Sequence, residues 1–411
     1  MGELCEPVLW KIMEFNEAKN LLISKVKELE TENVGIGDAY NRILSSDLIA
    51  NIDVPSFNRS PLDGYCFNSE DTIGAGAENP LYFDIIEEVP CGKVAAKIIG
   101  KNQTIKVLTG AKMPEGADCV IKYEDVEIVN GRLKLQRELQ HNENVILIGE
   151  DVKKGMILAK KGSIVDMGVV GIAASLNIPL LKVYKKLKVG LISTGSELLE
   201  IGDESVDGKI YNSNRYIFDY ILKKYNIECK YYGIVYDDIE KLKERFGEAS
   251  NECDIVISTG GVSVGDYDLV EKALNELCFK TFVKGIAMKP GMACCFAEKN
   301  GELVLGLSGN PMSSVTTFYA VVLPAIKKMM GYSDFENKYF KVKLKNSFNK
   351  KIGKLRFLRA KVEVENGEAV ATLNLDQGNI VIKSLIDCNA MIKVENGAEA
   401  KAGMTFDCMW L

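Results

Sequence analysis

Residues 187–330 alternate strand-type and helix-type segments, and this alternation limits the fold more than any other feature of the chain. LKVGLIS is a continuous apolar run ending at Thr194-Gly195, followed by a helix from about Asn214 with Phe218, Ile221, Leu222 and Tyr225 on one side. KYYGIV is a second strand, and IEKLKERFGEAS a helix that aligns Ile239, Leu242, Phe246 and Ala249. CDIVIS is a third strand ending at Thr-Gly, DYDLVEKALNELC a helix, and ELVLGLSG leads into a long helix after Asn310-Pro311. Apolar strands joined by amphipathic helices predict a three-layer α/β domain around a mostly parallel sheet.

With 411 residues the chain exceeds one ordinary core, and two to four domains are expected. Residues 15–29 read as an amphipathic helix, with Phe15, Ala18, Leu22, Val26 and Leu29 in one stripe. From about Asn51 to Gln140, short β-type runs (LYFDIIEEV, QTIKVLTG, DCVIKYEDVEIV, RLKLQ) are split by Gly, Pro and Asn-Gly, which predicts a β-rich domain. Residues 145–183 mix short apolar runs with glycine and are expected to rejoin the first helix. From Tyr339, the runs YFKVKLK, KLRFLRAKVEVE, AVATLNL and AMIKV predict a small β-barrel, with Asn366-Gly367 as a hairpin turn. The expected division is a discontinuous helical and extended linker domain (1–48 with 141–186), a β-rich domain (49–140), the α/β domain (187–332) and a C-terminal barrel (333–411).

Charge and composition exclude several functions. A net charge of −6 argues against a diffuse nucleic-acid-binding face. His141 is the single histidine, so a histidine metal cluster is excluded and carboxylates must do any metal or acid–base work. The 11 cysteines are odd in number and form no C-x-x-C pair, which argues against a disulfide framework or a zinc ribbon. Cys294 and Cys295, on a strand, would point to opposite faces as small hydrophobes. The first residues, MGELCEPVLWKIMEF, do not read as a signal peptide, and no apolar run reaches the roughly 20 residues of a membrane span. A cytoplasmic location without membrane contact is expected.

Ligands of open α/β sheets bind beyond the carboxyl ends of the strands. STGSEL, STGGVSVGDYD and LSGNPMSS are polar, glycine-rich turns expected at one such edge. Small residues let a ligand approach the backbone, and free N–H groups at the following helices favour anions. The plain alternative is three tight connections in an ordinary sheet. Glu197, Asp266 and Asp268 lie on the same edge, and carboxylates beside a phosphate pocket call for a cation, for which Mg²⁺ is the natural choice. Asp237 or Asp238 reads more simply as a helix N-cap, and Asp266 can likewise cap DYDLVEKAL. Leu-Asp-Gly-Tyr, by itself, reads as a turn.

Together these segments resemble one family. VPSFNRSPLDGY is similar to the PxFdxSxMDGYA signature of the molybdenum insertases, which include bacterial molybdopterin molybdenumtransferase and the E domain of gephyrin. TGAKMPEGADCVI is similar to TGAxxPxGADaVV, and GEDVKKGMIL, STGSEL, YNSN, STGGVSVGDYD, MKPG and GNPMSS follow in the family's order, from about Phe15 to the C-terminus. The resemblance implies four subdomains and a homodimer in which the β domain of one subunit faces the α/β domain of the other. It marks Asp63, Asp151, Glu197 and Asp268 as catalytic acids, with Glu197 and Asp268 holding Mg²⁺. Thr194, Gly195, Asn214, Gly260, Gly261 and Ser263 would cradle an adenylate and phosphate, and Lys289 would face an anion. Gly309, Asn310, Pro311 and Ser313 match the GNPxS turn, Arg359 the arginine of an FxR element, and Ser384 a serine in a later loop.

The implied substrates are molybdate and adenylated molybdopterin. The implied reaction is Mg²⁺-dependent insertion of the metal with release of AMP, in molybdenum cofactor biosynthesis. Transient contact with the pterin adenylyltransferase or with acceptor molybdoenzymes follows from that role. An adenylyltransferase would account only for residues 187–330, and a non-enzymatic pterin-binding scaffold would have no need of the acid cluster. The chain departs from the family at Met292 and Ala293 (KPGMA for KPGKP), at Ser308 (LSGNP for LPGNP), at QGN 377–379 in place of a GSG-like turn, and at Lys354 in place of a common arginine. Loss of a lysine at 292 leads to the expectation that Met292→Lys would tighten molybdate use.

Overall fold

The computed structural model describes residues 12–262 and 269–411. Ser263, Asp266 and Asp268 lie outside the described residues. The α/β segment forms a six-stranded sheet in the order Glu228–Val235, Lys188–Thr194, Ile255–Thr259, Glu302–Leu307, Cys294–Lys299, Lys280–Lys284. The first four strands are parallel, and Cys294–Lys299 runs antiparallel to both neighbours. Leu191, Ile257 and Leu305 pack into the core on one face, Ile192, Val256 and Val304 into that on the other. Cys294 belongs to the first core and Cys295 to the second, as alternation along a strand requires.

The N-terminal helix spans Phe15–Lys25 and buries Phe15, Ala18 and Leu22. It ends at Lys25, short of Leu29: Val26 is extended, and the Leu29 N–H donates to the Met329 carbonyl at 2.8 Å. Val26 and Leu29 still pack on the α/β core, so the apolar period ran on where the helix did not. Beyond it, Thr31–Gly35 pairs antiparallel with Leu180–Tyr184, and Leu48–Ile49 with Ile157–Ala159, which interlaces the two distant segments.

The β-rich region is a six-stranded sheet in the order Cys119–Lys122, Gly64–Phe67, Gln103–Val107, Leu81–Val89, Arg132–Leu135, Glu127–Val129. LDGY is therefore not a plain turn. Gly64 opens a buried strand, and a Cβ there would lie 2.0 Å from the Ile121 carbonyl oxygen, so only glycine lets the strands approach.

At the C-terminus, Leu355–Glu365, Glu368–Leu373, Phe340–Leu344, Thr405–Trp410 and Ala390–Val394 close on one another as a five-stranded barrel. Asn366 and Gly367 both have positive φ (51° and 83°), as the two-residue hairpin turn requires. A short strand of the α/β segment, Met288–Lys289, pairs in parallel with Leu355 and Arg356 at the start of the first barrel strand. That contact positions the barrel beside the carboxyl edge of the central sheet.

Candidate functional site

The glycine-rich turns after Lys188–Thr194, Ile255–Thr259 and Glu302–Leu307 meet at one end of the sheet. A Cβ on Gly260 would lie 2.2 Å from the Thr194 carbonyl oxygen, and one on Gly309 3.4 Å from Gly260 Cα, so the turns touch. Asn214 ties the following helix to the third turn, its Nδ2 donating to the Gly309 carbonyl at 2.8 Å, while its Oδ1 is buried without a partner among the described residues. A cavity of about 600 Å³ opens over these residues, lined by Glu197, Asn214, Gly260, Gly261 and Asn310 and walled by Ile380 and Ile382 of the barrel.

Glu197 is exposed in this cavity and is the one acid among its described lining residues. Its carboxylate has no hydrogen bond or ion pair with a described residue, and an unpaired hard oxygen donor beside glycine-lined turns fits Mg²⁺. Among the described residues no three or more His, Cys, Asp or Glu side chains gather as a metal site. Asp238 is the N-cap of Ile239–Glu252, accepting from the Glu240 and Lys241 N–H groups, and the Asp237 N–H donates to Ser196 Oγ. Neither acid lines the cavity.

Free helix N–H groups were expected at the third turn, and the structure corrects this. Pro311 has no N–H, that of Met312 donates to the Asn379 carbonyl at 3.1 Å, and those of Ser313 and Ser314 donate to the Asn310 carbonyl. The Ser308 hydroxyl, where the family has proline, accepts from the Asn310 N–H at 3.2 Å and holds the turn.

Positive charge lies instead in an adjoining cavity of about 530 Å³, which shares Ala293, Ser308 and Asn310 with the first. Lys289, Lys351, Lys354 and Arg356 line it, together with Gly291, Met292, Ser313 and Asn379, and no acid does so among the described residues. Lys289 and Ser313 thus fall in one cavity, and Glu197, Asn214, Gly260, Gly261 and Pro311 in the other. Sequence reasoning passed over Lys351 and Arg356, for which the run KKIGKLR before a strand was the available signal, and met Asn379 only within the QGN departure.

Other expected residues lie behind or away from these cavities. Thr194 is buried beneath the turns, and a Cβ on Gly195 would strike the Glu197 carboxyl at 2.3 Å. Arg359 is buried and lines neither cavity: its Nη2 donates to the carbonyls of Asp376 and Gly378, while Nε and Nη1 have no partner among the described residues. Gln377 clasps the same strand, accepting from the Arg359 N–H and donating to its carbonyl, which fixes the loop carrying Asn379 and Ile380. Ser384 is buried and donates to the Val381 carbonyl.

Asp63 is exposed in the β domain and accepts from the Thr109 N–H at 2.6 Å and its hydroxyl at 2.8 Å, contacts that hold its carboxyl below the usual range. Asp151 is exposed, its N–H donating to the Val54 carbonyl. Neither lines either cavity. The described cysteines are all free, and burial pushes the Cys294 thiol up to about 12, which removes it as a ligand at neutral pH. A part-buried network also escaped the sequence: Asn212 Nδ2 donates to Ser193 Oγ and Tyr231 Oη, Tyr231 donates to Glu200, and Arg215 pairs with Glu200 while stacking on Tyr231.

Three family models match the chain: "MoeA N-terminal region (domain I and II)" over residues 13–177, "Probable molybdopterin binding domain" over 190–328 and "MoeA C-terminal region (domain IV)" over 341–411. A molybdopterin molybdenumtransferase of Staphylococcus epidermidis is 35% identical over 393 residues, covering 95% of this chain and 94% of the relative. One from Staphylococcus aureus is 32% identical over the same shares. The crystal structure of the molybdopterin biosynthesis MoeA protein from Pyrococcus horikoshii matches with a TM-score of 0.84 and 31% identity, over 98% of this chain and 100% of that one. Among the described residues no helix is long and apolar enough to cross a membrane.

Proposed function

Because the chain belongs to the molybdopterin molybdenumtransferase family, we propose that it inserts molybdenum, supplied as molybdate, into the dithiolene of adenylated molybdopterin and releases AMP. The observation that carries this reading is the pair of adjoining cavities of opposite character. One is lined by glycine turns and an unpaired carboxylate, the other by four cations and no described acid, and they share a wall.

In this reading Thr194, Gly195, Gly260 and Gly261 let the adenylate and its phosphates lie against the backbone, with Ser263 assigned beside them by the resemblance alone. The buried Oδ1 of Asn214 accepts a hydrogen bond from the ligand. Ile380 and Ile382 exclude water along one side. Lys289 and Ser313 face the oxyanion, and Ser308 and Asn310, on the shared wall, fix its distance from the pterin, so that reacting groups meet as within one molecule. Arg359 and Ser384 act as supports of the barrel loop. Mg²⁺, held by Glu197 and, by resemblance, Asp268, would neutralise charge on the phosphoanhydride when bound.

Asp63 is assigned to act on the partner subunit's cavity across a homodimer, which is consistent with its exposure and its distance along the chain from the glycine turns, and Asp151 is a catalytic acid by resemblance alone. The test is incubation with adenylated molybdopterin, molybdate and Mg²⁺ in the cytoplasmic pH range, with AMP and pterin-bound molybdenum both measured. One AMP per metal inserted is expected, and Glu197→Gln should abolish both with the fold intact. Undiminished AMP release in that variant would reject the assignment.

A further inference from the structure

Glu197 and Asn214 stand at the two ends of one excursion of the chain, and both line the glycine-walled cavity. The excursion leaves strand Lys188–Thr194 at Gly195 and ends at Asn212, which caps helix Ser213–Lys224. A short parallel pairing draws its ends together, Leu198 with Ile210 and Leu199 with Tyr211. The Ile210 N–H donates to the Glu197 carbonyl at 2.8 Å, and the Asn212 N–H to the Leu199 carbonyl at 2.9 Å. So short a two-stranded ribbon is marginal unless other groups hold it.

Side chains behind the cavity hold this clip. Glu200, the residue after strand Leu198–Leu199, accepts from Arg215 Nη1 at 2.9 Å and from Tyr231 Oη at 2.6 Å, one donor on each oxygen. Asn212 is 1% exposed. Its Nδ2 donates to Tyr231 Oη at 3.0 Å and to Ser193 Oγ at 2.9 Å, and its Oδ1 accepts from the Arg215 N–H. The Arg215 guanidinium carbon lies 4.1 Å from the Tyr231 ring centroid and 5.1 Å from that of Tyr216, so the fork rests on two rings. Tyr231 is paired with Leu191 in the central sheet, and Ser193 lies on the same strand as Leu191. Both ends of the excursion are thereby fastened to that sheet.

The Arg215–Glu200 pair contributes little to stability, because the two side chains are 34% and 30% exposed. Its value lies in direction, since a guanidinium fork fixes the carboxylate it meets. Arg215, Glu200 and Tyr231 line neither cavity, so they reach the reaction only through the clip.

We infer, resting on the function proposed above, that Arg215 is a positioning residue for the reaction. Through Glu200 and Tyr231 it fixes the clip, and the clip sets where Glu197 stands relative to Asn214 across the cavity.

The test pairs hydrogen exchange of the unliganded full chain with turnover. In wild type the Ile210 and Asn212 amides should exchange slowly. Arg215→Met keeps the stem and the backbone N–H that Asn212 accepts, so the helix cap survives. It should speed exchange of both amides about tenfold, while exchange in strand Ile255–Thr259 and the Tm stay at wild-type values. In turnover, kcat for AMP release should fall about ten- to hundredfold, the usual cost of a small misplacement remote from the reacting atoms. KM for adenylated molybdopterin should move less than about threefold, because the Gly260, Gly261 and Gly309 backbone is still presented. Arg215→Lys reaches Glu200 with a point charge and should recover part of kcat. Adding Glu200→Gln to Arg215→Met should cost little more than the worse single variant, since both break one clip. If Arg215→Met does not fold, Tyr231→Phe, which removes one hydroxyl, carries the same test. Unchanged exchange at Ile210 and Asn212, unchanged kcat, or a kcat loss that merely follows a fall in Tm overturns the inference. Freed amides in the variant, with a wild type that yields no AMP, would sink the proposed reaction alone and leave the clip standing.

Discussion

The ammonium nitrogen of Lys354 lies 3.4 Å from the thioether sulfur of Met292. Two departures from the family pattern, 62 residues apart in sequence, are thus neighbours at one rim. A lysine introduced at 292 would meet a cation already in place, which works against the tightening expected from the sequence alone. Met292→Lys should leave the molybdate concentration for half-maximal cofactor formation the same or higher, because two ammonium groups would compete for one position. Met292→Lys combined with Lys354→Gln should return it toward wild type. Lys289→Ala should raise it about ten- to hundredfold. Tightening by Met292→Lys alone would refute this account.

Gly195 and Glu197 are coupled through the backbone. Gly195 has φ 142°, and a Cβ there would lie 2.3 Å from Glu197 Oε2. Gly195→Ala should therefore swing the carboxylate away, reduce AMP release toward that of Glu197→Gln, and cost about 1–3 kcal/mol in urea denaturation from backbone strain. Full activity in Gly195→Ala would show that the position of Glu197 does not matter.

Asp63 owes its low pKa first to the Thr109 N–H, then to the Thr109 hydroxyl. Because the folded value is depressed, its contribution to stability is present above the unfolded pKa and fades as pH falls through the folded one. NMR titration should find Asp63 ionising below the ordinary aspartate range, and Thr109→Val should move it up by removing one of the two donors. A titration unaffected by Thr109→Val would assign the shift to other causes.

If Asp63 acts across a homodimer, subunits carrying Asp63→Asn mixed with subunits carrying Glu197→Gln should form some dimers with one intact site. Partial recovery of AMP release is expected, while either variant alone stays inactive. A monomer by light scattering at micromolar concentration, or no recovery on mixing, counts against the shared site.

Much of the architecture follows from the sequence alone, because it depends on local periodicity. Continuous apolar runs between amphipathic helices gave a parallel sheet, and parallel strands must all end at one edge, so STGSEL, STGG and LSGNP had to converge. Asn366-Gly367 specified its hairpin and Asp238 its helix cap for equally local reasons. The tertiary structure alone decided which charges meet. Arg356 and Arg359 are three residues apart on one strand and so face opposite ways; Arg356 shares its side with Leu358 and Ala360 and lines the cavity. Arg359 turns behind the loop that Gln377 clasps. Nothing local in KKIGKLRFLRA distinguishes them. The choice comes from closure of the barrel and from the pairing of Lys289 with Arg356, contacts between segments far apart in the chain, which no periodicity encodes.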